Sequence, residues 1–271
     1  MGGQYWYNAA VEFNRISVRD LLAAYFRQDL PLHAYSLGDL DEPYWPRTSY
    51  YGVLGEKGLS DVFLIYKGKG LPILLALGSE AYLSGGLLGK LVELDPTEIY
   101  AHLSPGLENG LRKWFSLQLH GLHYKMSLAD PGRLEQVPTD HTFRLSPRDL
   151  PDLQRLYTES YPDNSFDPSL LSSGKFIGCR VSGRLVSAAG VHVYSTRYRV
   201  AALGNIATHP DHRNQGFARA VTARLCRELI GEVDFIGLNV KCANQSAVDL
   251  YQTLGFEIAS KYGEFTLKKA F

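Results

Sequence analysis

Residues 203 to 218, Leu-Gly-Asn-Ile-Ala-Thr-His-Pro-Asp-His-Arg-Asn-Gln-Gly-Phe-Ala, carry the types and spacing best suited to chemistry. They lead an apolar strand through a loop into a helix. A helix start offers unpaired backbone N–H groups and a partial positive charge, so the turn entering it suits an anion. Gly216 admits a phosphate close to the backbone, Ala218 keeps the first turn small, and Arg213 adds a permanent cation with a planar donor fork. From Phe217 the chain is amphipathic. Phe217, Val221, Leu225 and Leu229 recur every four residues, and Gly231 supplies a stop. The expected ligand is a pyrophosphate, and the alternative is an ordinary strand-loop-helix with a solvated arginine.

A second block follows. Phe235 to Val240 reads as a short strand, Asn244 as an N-cap, and Gln245 to Leu254 as a helix stopped by Gly255 before another strand from Phe256. Asn244, Ala247 and Tyr251 fall at i, i+3 and i+7, on one helical face. A phenol on that face can look toward the same cleft as the loop, or pack the helix against the sheet.

These blocks together resemble the GNAT superfamily of acyl-CoA-dependent N-acyltransferases. The likeness rests on Ile206-Ala207-Thr208-His209-Pro210, on Arg213-Asn214-Gln215-Gly216-Phe217-Ala218, and on Asn244 followed by Ala247 to Phe256; it covers about residues 140 to 271. It implies an α/β (α+β) fold with a mixed, mostly antiparallel central sheet flanked by helices, and acetyl-CoA as co-substrate with no metal. The strand bearing Ile206, Ala207 and Thr208 would splay from the one at 235–240, and the pantetheine arm would lie in the gap. Amides of Arg213, Asn214, Gln215, Gly216, Phe217 and Ala218 would hold the pyrophosphate. Asn244, with Ala247 on its face, would sit beside the arm, and Tyr251 would protonate the departing thiolate. An ordinary phenol pKa of about 10 against about 8.5 for a thiol makes that transfer nearly balanced.

The base is less legible. Many members of the family carry a carboxylate on the strand matching residues 200–208, and this chain has none there. His192, on a strand expected over Ala188 to Tyr194, is the best local substitute because imidazole titrates near neutrality. A structural role for His192, Glu257, a residue of the N-terminal half, or an amine already neutral when bound all stay open.

Charge and composition exclude several classes. The 271 residues carry 28 basic and 28 acidic side chains, 45% hydrophobic and 12% aromatic residues. This is a globular composition, with no net charge to suggest nucleic acid or an anionic membrane as main partner. Locally, four arginines against two acids lie between His209 and Glu228, which suits phosphates. Cys179, Cys226 and Cys242 lack the spacing of a zinc site or disulfide framework, so reduced thiols and a cytoplasmic location are expected. Leu71 to Leu77 is too short to cross a bilayer, and Met1 to Tyr7 lacks a signal-peptide pattern.

The N-terminal half reads as helices at 17–28, opened by Ser17, and at Ala34 to Leu40. Strands follow at Tyr50 to Leu54, Val62 to Tyr66 and Pro72 to Leu77. A helix from Ser79 to Val92, a strand near Ile99 to His102, a helix from Leu107 to Leu119 and a strand from His123 to Leu128 complete it. This order parallels the second half and suggests a degenerate tandem repeat, divided into 1–137 and 138–271 at a polar linker. The first copy's candidate loop, Gly78 to Gly86, has no arginine and carries Glu80, so it is a poor phosphate site. Tyr44, Trp45, Tyr50 and Tyr51 suit either an acceptor pocket or a core.

The leading expectation is acetyl transfer from acetyl-CoA to the primary amine of a small or amino-acid-like molecule, by direct attack in a ternary complex. The alternative is a non-catalytic acyl-CoA-binding sensor. A tandem enzyme using aminoacyl-tRNA fits poorly with an intact pyrophosphate loop and a neutral chain. The acceptor, acyl-chain preference and choice between monomer and homodimer have no readable motif.

Overall fold

The computed structural model describes residues 13–56, 58–68, 70–78, 80–162, 164 and 166–270, without the side chains of 80–85. The expectations for Met1 to Tyr7, for Ser79 as a helix start and for the side chains through the rest of that candidate loop therefore lie outside the described residues. The chain divides into two compact units, one of residues up to 123 with 261–271, the other of residues 124–260.

The first unit contains β1 (Asn14–Ile16), α1 (Arg19–Phe26), α2 (Leu30–Gly38), β2 (Thr48–Gly55), β3 (Gly58–Tyr66), β4 (Ile73–Ala76), α3 (Glu80–Leu94), β5 (Glu98–Leu103), α4 (Leu107–Leu111) and the first part of β6 (Phe115–Leu128). Strands β1 to β4 pair antiparallel, and β4 pairs parallel with β5 through the α3 crossover. Ile99, Ala101 and Leu103 face inward at period two, meeting Leu87 and Leu91 of α3 and Leu107 and Leu111 of α4. Tyr50 and Tyr51 are buried, Trp45 stacks on Tyr50 at 5.4 Å, and Trp45 and Tyr50 also line a recess with Arg15, Ser17 and Thr48.

Two local expectations need correction. Ser17 does not cap α1, whose N-cap position is Val18 without a side-chain bond; Asp29 instead caps α2 by accepting from Leu32 N at 3.1 Å. The helix expected to Leu119 ends at Leu111, because Phe115, Leu117 and Leu119 alternate with polar residues and continue as β6.

The second unit contains β7 (Thr142–Arg144), α5 (Leu150–Ser160), β8 (Phe176–Val181), β9 (Arg184–Ser195), β10 (Val200–Thr208), α6 (Phe217–Ile230), β11 (Phe235–Lys241), α7 (Gln245–Thr253) and the start of β12 (Phe256–Lys269). Here β7 to β10 are antiparallel and β10–β11 parallel. The order strand-strand-strand-helix-strand-helix-strand thus occurs twice, as β2 to β6 and as β8 to β12. A cut at 137/138 separates these copies in sequence, whereas the compact units exchange strands. Residues of β12 lie beside β5 in the first unit, from Gly263↔Leu103 to Lys268↔Glu98, and the 124–128 end of β6 lies beside β11 in the second. The polar stretch before Asp140 is tied to the second unit. Arg227 of α6 donates to the carbonyls of Leu134 and Val137, the latter at 2.9 Å, and to Thr139 Oγ1 at 3.0 Å.

Helix α6 shows why this sequence folds as it does. Val221, Leu225 and Leu229 are buried and Phe217 is half-buried, so the four-residue spacing becomes one inward face. Gly231 follows the helix at φ −77°, ending it without the left-handed turn common at such positions.

Candidate active site

The site begins where β10 and β11 part. Their parallel register runs from Val200↔Phe235 to Leu203↔Leu238 and stops, although β10 continues to Thr208 and β11 to Lys241. On its other edge β10 stays paired with β9, through Ala207↔Ala188 and Thr208↔Ser187, with an irregularity between Gly204 and Ala207. At that irregularity Asn205 takes φ 54°, and its carbonyl accepts from the Tyr157 hydroxyl of α5 at 2.8 Å. Residues Ile206, Ala207 and Thr208 therefore present an edge unpaired on the β11 side. Single-edge pairing on a strand inside a sheet leaves backbone donors and acceptors for something else.

The loop after β10 is anchored at its base. His209 is buried, its Nδ1 accepts from Asp211 N at 3.3 Å, and its Nε2 lies 3.1 Å from Arg184, which pairs with Glu159 at 2.7 Å. Arg213 is exposed, with Nε donating to Thr208 O at 3.4 Å, and Gln215 Nε2 donates to Asp211 O at 3.3 Å. Asn214 and Gly216 are left-handed, at φ 60° and 83°. Gly216 occupies the N-cap position of α6 and brings no side-chain cap, and Ala220 N is the donor to its carbonyl, at 3.0 Å. The amides before Ala220 thus have no acceptor within the helix. A fourteen-residue helix with this start, beside Arg213, fits a pyrophosphate. Phe217 and Ala218 are half-buried, and the Phe217 ring lies 6.1 Å from His212.

Helix α7 carries the second set. Asn244 Oδ1 accepts from Ala247 N at 3.3 Å, so that oxygen serves as the helix cap. Ala247 packs against the core, and Tyr251 is 7% exposed with its ring 6.0 Å from Phe256. Burial, with Tyr161 and Cys226 nearby, raises the Tyr251 phenol well above 10. The near balance with a thiol expected of an ordinary phenol does not hold in this environment. Tyr251 is a firmly protonated, weaker acid.

His192 lies on β9 at the register shift opposite Ala202 and Leu203, close enough to Gly204 that a Cβ added there would come within 2.9 Å of the His192 Cβ. Burial lowers its pKa, which favours the neutral imidazole near pH 7. Glu257 is exposed at the start of β12. Two further polar side chains lie on the strands that part here: Asn205 Nδ2 and Asn239 Oδ1 are buried and make no hydrogen bond among the described residues. Their signal in the sequence is an asparagine within each of two mainly apolar strands. Next to Tyr157, a recess of about 320 Å³ is lined by Gln154, Thr158, Pro162, Asn164, Phe166 and Pro168.

Among the described residues no cluster of three or more His, Cys, Asp or Glu could hold a metal, and no helix is long and apolar enough to cross a membrane. Cys179 and Cys226 are buried free thiols and Cys242 is half-buried.

Comparison with known proteins agrees with this geometry. Residues 143–256 match the model of the acetyltransferase (GNAT) family. Over 61 residues the chain is 41% identical to the [ribosomal protein bS18]-alanine N-acetyltransferase of Escherichia coli K12, a match that spans 22% of this chain and 41% of that protein's length. A GNAT-family acetyltransferase from Colwellia psychrerythraea superposes with a TM-score of 0.60 at 15% identity, covering 95% of this chain and 100% of its own. A tandem GNAT protein from the clavulanic acid biosynthesis pathway superposes with a TM-score of 0.56 at 14% identity, covering 95% and 98%. At such identities the structural matches speak for the fold.

Proposed function

We propose that the protein, whose residues 143–256 match the model of the acetyltransferase (GNAT) family, transfers an acetyl group from acetyl-CoA to the primary amine of a small or amino-acid-like acceptor. The observation that carries this reading is the fork after Leu203↔Leu238, with β10 running on to Thr208 and its loop ending at the start of α6, where Gly216 brings no side-chain cap. Acetyl-CoA supplies the acyl group in activated form, as a thioester. Amides from Arg213 to Ala218 bind its pyrophosphate, helped by the Arg213 charge. The free edge of Ile206, Ala207 and Thr208 orients the arm, with Asn244 and Ala247 beside it.

Proton handling falls to two residues. His192, whose imidazole burial favours in its neutral form, takes the proton that the attacking amine nitrogen must lose. Tyr251 gives its hydroxyl proton to the departing sulfur. Because burial makes Tyr251 a weak acid, its contribution depends on the rising basicity of that sulfur as the bond to carbon breaks.

Among the described residues the first unit shows no parting of parallel strands like that of β10 and β11. Strand β4 stays paired with β5 to its last residue, Ala76↔Leu103, so the strands do not part within it. Only residues 77–79 separate β4 from α3, and Gly78 N donates to Ser104 Oγ at 2.9 Å. These facts support a degenerate first copy that completes the fold or shapes the acceptor site. The relative's acceptor is an alanine of a ribosomal protein, so a peptide amine is the competing acceptor class. We further infer a cytoplasmic protein working without metal or nucleic acid.

Thermal unfolding with acetyl-CoA tests the cofactor. At roughly 100 times the dissociation constant, binding adds about 2.7 kcal/mol and raises the midpoint by several degrees. Thiol release across a panel of small amines and N-terminal peptides then tests transfer. Binding without turnover on any amine favours a sensor, and no binding at millimolar concentration overturns the reading.

A further inference from the structure

The first unit carries a cluster of titratable side chains that acetyl transfer does not use. Tyr262, Glu264 and Thr266 alternate along one side of β12, while Phe265 and Leu267 turn to the apolar core on the other. His102 of β5 lies opposite Glu264 in the antiparallel register, and β6 flanks the other edge of β12. Side chains from both neighbours close on these three residues. The His102 and His123 rings lie 5.1 and 5.4 Å from the Tyr262 ring, and their Nε2 atoms lie 3.7 and 3.6 Å from the same oxygen, Glu264 Oε1. His120 Nε2 meets Thr266 Oγ1 at 2.7 Å. Tyr262 donates to Glu264 Oε1 at 2.9 Å, and Tyr100, stacked on His120 at 5.4 Å, donates to Oε2. Tyr35 of α2 approaches Tyr262, and Lys125 follows two residues past His123 on β6.

Despite burial, the Glu264 carboxyl stays below its ordinary range, because His102, Tyr100, His123 and Tyr262 favour its charged form. The groups here that change charge near neutral pH are therefore the imidazoles. Separations of 3.6 and 3.7 Å are long for a hydrogen bond and short for an ion pair, so these contacts gain most when an imidazole is charged. Two imidazoliums beside one oxygen repel, so a first proton is favoured and a second is not. The first belongs mainly on His102, whose side chain is 19% exposed against 8% for His123, because the more exposed ring gives up less hydration. We propose that the cluster is a proton-operated clasp on the C-terminal strand: one proton on the His102–His123 pair fastens β12 between β5 and β6, and its release loosens the strand. The gain is present while the proton is bound and fades as pH rises through the titration of the pair. The clasp holds whether or not the protein uses acetyl-CoA.

Amide hydrogen exchange of the full chain, corrected for the intrinsic effect of pH, reads the strand directly. Between about pH 6 and about pH 8, peptides covering 261–269 should lose protection roughly threefold to tenfold, the worth of one hydrogen bond, while peptides of β8 and β9 keep theirs. Glu264→Gln should abolish the difference, His102→Gln should reduce it strongly, and His123→Gln should leave most of it. Imidazole proton resonances of the unaltered protein give a second reading that survives any variant failing to fold. The His102 ring should titrate first as pH falls through the neutral range, and the His123 ring only at lower pH. A β12 difference that is absent, or matched in β8 and β9, overturns the clasp, as does independent titration of the two rings at one ordinary imidazole value of about 6.5. Loss of the difference in His123→Gln but not in His102→Gln overturns the placement of the proton.

Discussion

Glycine stands at both ends of α6, and only one of the two should matter. Gly216 sits at φ 83° at the start, Gly231 at φ −77° at the end, and an added Cβ meets nothing within 4 Å at either position. Steric clash is therefore absent from both alanine variants, and backbone conformation alone separates them. Holding alanine in the left-handed region costs roughly 1–2 kcal/mol. At Gly231 the same replacement is compatible with the native backbone and stabilises by about 0.4–1 kcal/mol through the unfolded chain. Gly216→Ala is expected to lower the unfolding midpoint by about 2–6 °C if the loop keeps its shape. If the free loop relaxes instead, the cost reappears when the phosphate-binding shape is restored, as a fivefold to thirtyfold loss of acetyl-CoA affinity. The two losses, from unfolding scans and titration calorimetry, should sum to about 1–2 kcal/mol. Equal behaviour of Gly216→Ala and Gly231→Ala in both measurements would refute the argument that left-handed backbone at Gly216 shapes the loop.

Tyr251→Phe preserves the packing against Phe256 and removes the proton; steady-state kinetics should show turnover reduced roughly 10²- to 10⁴-fold with coenzyme affinity unchanged, and undiminished turnover removes Tyr251 from the mechanism. Tyr157→Phe leaves the Asn205 carbonyl without its buried donor and should cost about 1–3 kcal/mol in denaturant unfolding. Asp39 has its carboxyl pushed up to about 7 by burial, from 3.8. The folded protein then holds a proton the unfolded chain has lost, so Asp39 reduces stability progressively as pH rises from about 4 to 7 and by a constant amount above that. The stability gap between Asp39→Asn and wild type should widen across that range and level off beyond it. Glu264 has the opposite sign. Beside His102 and His123, and accepting from Tyr100 and from Tyr262 at 2.9 Å, its carboxyl stays below its ordinary 4.5 despite burial. Its stabilisation is present above pH 4.5 and lost as pH falls through the lower folded value, so Glu264→Gln should flatten the acid limb of the stability profile.

The amino-acid sequence by itself determined the local chemistry of the second half. The period-four face of Phe217 to Leu229, the asparagine cap at 244, the loop from Arg213 to Ala218 and the doubled order of elements are all written in short spacings. Such spacings fix local structure because capping and amphipathic burial act within one or two turns. Competing local signals misled the reading at Ser17, a good cap residue left unused, and at 115–119. There, residues following a helical turn were claimed by sheet pairing that depends on strands distant in the chain. Only the tertiary structure decided where β10 and β11 part, because the end of a parallel register depends on both strands at once. It alone assigned the exchanged strands β6 and β12, whose partners lie far away in sequence. It alone also left Asn205 Nδ2 and Asn239 Oδ1 buried without partners, and moved the Tyr251 and His192 proton affinities in the directions burial imposes. Desolvation is set by everything packed around a group, and no spacing along the chain encodes it.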